Sequence, residues 1–209
     1  MSTKLEICTR FDLYMDDTSD LSSTETGTLF DKIYNKVSAE RPWEGTKKEA
    51  TGTTSTSVPY VSLPSDFSYL VSNQNYTRSG EYGSGPAILV GPTYTPYKVV
   101  NWSDRRQYRD ADGVCYIDFA NSRLYFAKQP ASALAYEFDY HATPVALANG
   151  DSPWFPERFH DVIYHGMCVD SFMIQQSDKA KSYAKEHQQQ YQAYMDSMAY
   201  WNANLIQTE

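Results

Sequence analysis

Few residues in this chain have the types and spacing that chemistry needs, and each such group has a simpler structural use. His165 and Cys168 stand three apart in a helical pattern, so a base and a thiol share one helix face. Cysteine catalysis needs a base that a third group orients, usually from a separate element. A buried cysteine beside a helical histidine is the commoner arrangement. His160 and His165 are five apart, not the four of a two-histidine zinc helix. Asp16, Thr18 and Asp20 begin like a calcium loop, but Leu21 stands where that loop needs glycine and Gly27 where it needs glutamate. A capped turn between helices accounts for them better. Gly80, Gly83 and Gly85 lack the following Lys and Ser/Thr of a phosphate loop. Asp66, Asp118 and Asp139 would suit glycosidic chemistry only if the fold paired them. Tyr94, Tyr97 and Trp102 are types that stack on sugars, or that pack within a sheet or against a neighbouring subunit. The expectation is no catalytic residue, no cofactor and no bound metal.

Composition points the same way. The formal net charge is -8 over 209 residues, which argues against a clamp for nucleic acid phosphates. The one basic cluster, Arg105, Arg106 and Arg109, is flanked by Asp104 and Asp110 and reads as a mixed-charge turn. Cys8, Cys115 and Cys168 are odd in number and far apart, so free thiols in a reducing compartment are expected. The first residues lack an apolar signal core, and no apolar run approaches the roughly 18 residues that span a bilayer. Eighteen residues are Tyr, a side chain with an apolar body and a polar tip that suits surfaces buried on assembly.

The elements that must carry these residues change period twice. Thr3 to Glu6 and Ser22 to Glu25 are capping boxes. Cys8, Phe11 and Met15, then Leu29, Ile33 and Val37, recur at helical spacing until Pro42. Residues 50 to 57 read as a low-complexity connector without core residues. Short strand signals follow at 58–63, 87–90, 97–102, 114–119, 124–127 and 134–140, with a hairpin turn at Asn121-Ser122. After Gly150 the helical period returns. The last helix, from Asp178 to Leu205, has an apolar face of Tyr191, Tyr194, Met195, Met198, Trp201 and Leu205. Its first half is almost wholly polar, as in a helix that bridges solvent or meets a partner. The expected class is α+β: a helical bundle from residues 1–49 and 150–209, with an inserted antiparallel β domain over 58–145.

The order of motifs carries a resemblance. Asp16-Asp-Thr-Ser-Asp20 is followed by Leu29-Phe-Asp-Lys-Ile-Tyr-Asn35, Arg41-Pro-Trp-Glu44, Leu63-Pro-Ser-Asp-Phe67, Tyr140-His-Ala-Thr-Pro144 and Trp154-Phe-Pro-Glu157. This series resembles the head-to-tail adaptor (connector) proteins of tailed bacteriophages. The resemblance implies a virion structural protein of the neck, assembled in the host cytoplasm. It implies a ring, usually of twelve identical subunits, between the portal protein and a tail tube or nozzle protein. Double-stranded DNA would pass through it without sequence-specific binding, and no membrane would be involved. The family's C-terminal segment often reaches onto the portal, which here maps to Tyr194, Met198, Trp201 and Leu205, with Tyr191 on the same face. A phage tail module that binds carbohydrate or host is the alternative from another class.

Overall fold

The computed structural model describes residues 2–15, 21–71, 87–175 and 177–206. The chain divides into two compact units, residues 1–46 with 144–209 and residues 47–143. The first is helical and the second is a sheet, so the class is α+β.

In the helical unit both capping boxes form. Thr3 and Glu6 bond each other's backbone N–H groups at 2.8 and 3.3 Å, and α1 (Lys4–Met15) starts there. Ser22 and Glu25 do the same for α2 (Ser23–Ala39). The helical stripes become the core: Ile7, Phe11 and Met15 from α1 and Phe30, Ile33, Tyr34 and Val37 from α2 are buried. They meet α3 (Asp161–Ile174) and α4 (Asp178–Ile206). Phe172 pairs with Tyr183, His165 with His187, Asp161 with Tyr194, and Phe159 with Trp201. The partners run in opposite order, so α3 and α4 are antiparallel. Gly166 sits where α2, α3 and α4 converge. A Cβ there would lie 2.5 Å from the Ile33 side chain, so the roughly 1 kcal/mol that glycine costs a helix relative to alanine allows the close approach.

The elbow after α2 is an anchored turn. Trp43 is fully buried and its indole N–H donates to the Val37 carbonyl at 2.9 Å, adding to the longer bond that this helix-end carbonyl accepts from the Glu40 N–H. A Cβ on Gly45 would come within 2.7 Å of the Trp154 ring, so this position needs glycine for contact.

The sheet unit holds eight strands among the described residues: β1 (Lys47–Thr53), β2 (Tyr60–Ser62), β3 (Phe67–Leu70), β4 (Ala87–Val90), β5 (Thr95–Val100), β6 (Val114–Asp118), β7 (Arg123–Phe126) and β8 (Ala135–Ala142). Their order is β1-β8-β4-β5-β6-β7-β2, and β3 also pairs with β8. One edge of β8 carries β1 along its length. The other is shared by β4 near Tyr136 and β3 near Tyr140. Residues 63–66 therefore lead from β2, at one end of the order, back to β8, and the sheet curls. Two expectations are corrected here. β5 and β6 pair in parallel, so the sheet is mixed rather than antiparallel. The supposed connector at 50–57 contributes most of β1, because Gly52 and its threonine neighbours pair in full register with β8. Backbone pairing needs no apolar side chain, which is why the composition concealed this strand.

Candidate partner interface

The face of α4 is built from small and polar residues as well as large ones. Ala180, Ala184, His187, Tyr191, Met195, Met198 and Asn202 are buried at spacings of three or four. This is one continuous helical face. The polar first half of α4 is thus packed within its own unit: alanines admit close contact, and His187 is hydrogen-bonded. Only this strip turns inward; the other residues from 178 to 190 are exposed.

The five residues expected to meet a partner divide. Tyr191 is 7% exposed and Met198 is 0%. Both lie in the core, because α3 presents a matching apolar strip, and neither faces outward. Tyr194, Trp201 and Leu205 remain half-buried. The Tyr194 hydroxyl donates to Asp161 at 3.4 Å, and the Trp201 ring centroid lies 5.7 Å from that of Phe159. Next to Trp201, Tyr200 is 74% exposed. Arg158, Phe159, Asp196, Ser197, Tyr200, Trp201 and Asn204 line an open groove of about 590 Å³. It mixes aromatic faces with one cation, one carboxylate, one amide and one serine hydroxyl. Arg158 lies over the Phe159 ring at 4.8 Å. Such a groove suits a protein segment better than a small molecule undergoing reaction.

The histidines form a packing network. His165 Nδ1 lies 2.8 Å from His187 Nδ1, and His187 Nε2 lies 3.1 Å from the Tyr14 hydroxyl. One Nδ1 must donate while the other accepts, so this bond requires an unprotonated acceptor ring. Burial pushes the His165 pKa down to about 4, with the nearby His187 adding to it, and burial lowers His187 as well. Arg10 stacks over the Tyr164 ring at 4.2 Å and donates to Asp161 at 2.7 Å. Cys168 is engaged by Tyr164, and burial raises its thiol to about 12. It is therefore a thiol at neutral pH, and His165 is turned to His187. His160 is buried, with Nε2 2.9 Å from the Phe155 carbonyl.

The other candidates have structural partners or lie elsewhere. Asp66 accepts from Lys48 at 2.6 Å and Tyr140 at 2.9 Å, and the Lys48 bond leads in lowering its pKa. Asp118 accepts from the Asn121 backbone and side chain at 3.3 and 2.8 Å, closing the β6–β7 turn. Tyr97 packs on Phe126, and Trp102 packs on Tyr116 and Tyr125. Among the described residues, no group of three or more His, Cys, Asp or Glu side chains could hold a metal ion. The calcium-like Asp16, Thr18 and Asp20 and the glycines at 80, 83 and 85 lie outside the described residues.

The sequence matches the SU10 adaptor protein family over residues 2–207. The chain belongs to that family. It is thus a phage adaptor protein, which makes it a component of the virion. Comparison with curated proteins gives no match. No described helix of this SU10 adaptor is long and apolar enough to cross a membrane.

Two residues important to this adaptor's α4 escape a reading of apolar stripes. Tyr200 lies off the buried face, so periodicity passes over it although it is an exposed aromatic wall of the groove. Asn202 is polar but 5% exposed. Its side-chain oxygen accepts from the Glu44 backbone at 2.7 Å and its amide donates to the Pro42 carbonyl at 3.3 Å. It ties the elbow to the end of α4. Its place one turn after Met198 on the same face was the available signal.

Proposed function

We propose that this adaptor forms a ring in the virion neck, joins the portal to the tail and encloses the DNA channel, without catalysis. The observation that carries this reading is family membership across almost the whole chain. The charge is consistent with it. An acidic ring repels phosphates, so a duplex can slide without adhering.

In this reading the groove at the end of α4 meets the portal through Tyr200, Trp201 and half-buried Leu205. Tyr194 and the core residues Tyr191 and Met198 support that surface from behind. Tyr200→Ala tests the contact best, because Tyr200 is exposed and its removal leaves the core intact. Portal pull-down should weaken by a hot-spot increment, on the order of 2 kcal/mol, with an unchanged thermal melt. Trp201→Ala should reduce both binding and melting temperature. Portal binding unchanged in both variants would overturn the assignment of this groove. Imaging of the chain mixed with portal should show a ring, whereas a stable free trimer that ignores portal would favour the host-binding alternative.

A further inference from the structure

A second surface lies in the sheet unit. Tyr60 and Tyr116 are both in register with Tyr125 across β2, β7 and β6. Side chains alternate across a strand, and Leu124 and Phe126 on either side of Tyr125 are buried. The three tyrosines therefore form a transverse row on the outer face, one per strand. Their ring centroids are 5.2 and 5.5 Å apart, and Tyr116 and Tyr125 are parallel within 9°. Trp102, 41% exposed in the turn after β5, extends the row at 5.5 Å from Tyr116. An arginine closes each end. Arg123 lies 4.1 Å over Tyr60, and Arg105 lies 4.1 Å over Trp102.

Neither guanidinium has a carboxylate within 4.0 Å among the described residues; Arg105 donates to the Trp102 carbonyl and Arg123 to the Tyr125 hydroxyl. An arginine stacked on a ring still presents in-plane N–H donors, matched to a carboxylate. A sugar would need open ring faces, but here the arginines and neighbouring tyrosines cover several of them. Trp, Tyr and Arg are the residue types that dominate protein interfaces.

The carboxylates that would fit are abundant in this same chain. Residues 47–143 contain nine basic and nine acidic residues, whereas residues 1–46 with 144–209 contain nine basic and seventeen acidic. The whole net charge of -8 thus belongs to the helical unit. We infer that the row from Arg123 to Arg105 is a contact face for the acidic helical unit of a second copy of this chain. The inference takes its setting from the proposed ring, but its test can be separated from it.

A photo-cross-linking residue at Tyr116, in mixed isotope-labelled and unlabelled chains, reports contacts between copies. The chain is examined concentrated at low salt and also bound to portal. Cross-links should run to residues 1–46 or 144–209 of another copy in at least one of the two states. Arg105→Gln with Arg123→Gln should reduce their yield by about tenfold, with an unchanged melt, while Arg109→Gln should not. Inter-copy links absent from both states, directed only to another copy's sheet unit, or indifferent to the paired Arg change would overturn the inference. Portal attachment without these links would sink the inference and leave the function. The links without portal attachment would do the reverse.

Discussion

The helical unit and the sheet unit solve different problems with similar residues. The helical unit carries all the excess acid, yet its buried hydrogen-bonded side chains include His160, His187 and Asn202. The sheet unit is neutral in sum and buries a conventional core from Val61 to Ala142. It turns its tyrosines outward in a row. The lesson is that tyrosine and arginine act as surface in one unit, whereas tyrosine and histidine act as mortar in the other. In the helical unit burial lowers the pKa of the paired histidines, whereas in the sheet unit Asp66 is held ionised by Lys48 and Tyr140.

The largest test separates the two cores. Trp43→Ala removes a fully buried ring and the bond to Val37, and should cost about 3–5 kcal/mol. Leu124→Ala, fully buried in the sheet core, should cost about 2–5 kcal/mol. Calorimetry should show each change lowering a different transition. A single transition shifted equally by both would break the comparison, since the cores would then unfold as one.

A smaller effect should come from pH. The folded His165 pKa lies near 4 and its ordinary value is 6.5, with His187 shifted in the same direction. The unfolded chain therefore binds more protons as pH falls below about 6.5. Stability is lost progressively from there to about 4, on the order of 1–3 kcal/mol. The charged and titratable neighbours include Arg10, Asp161, Glu186, Tyr14, Tyr164, Cys168 and Tyr194, which stacks on His165. Denaturant titrations across this window should show the slope in the helical transition, and His165→Gln should flatten it. An equal slope in the variant would assign the effect elsewhere.

The smallest test concerns a cap. Ser22→Ala removes the acceptor for the Glu25 N–H and should cost the helical unit about 1 kcal/mol. Ser22→Gly should cost only a few tenths. A melt that shifts the sheet transition instead would contradict the assignment of α2.

Much of this architecture is legible in the sequence. Capping boxes, apolar stripes and the turn at Asn121-Ser122 are local, so neighbours in sequence specify them. The five-residue contact set was less legible. A stripe of Tyr191, Met198 and Trp201 announces burial but does not say against what. β1 was missed because its threonines and Gly52 pair through backbone groups with a strand more than eighty residues away.

By itself the sequence determined the two capped helix starts, the hairpin turn between β6 and β7, the net charge and the motif order that places the chain among phage adaptors. Each is a property of near neighbours or of composition. Only the tertiary structure decided that α4 packs antiparallel on α3 and reaches the elbow beyond it, that His165 meets His187, that β5 runs parallel to β6 and that three tyrosines align between two arginines. These depend on contacts between distant residues, where register and packing, not local propensity, choose the partner.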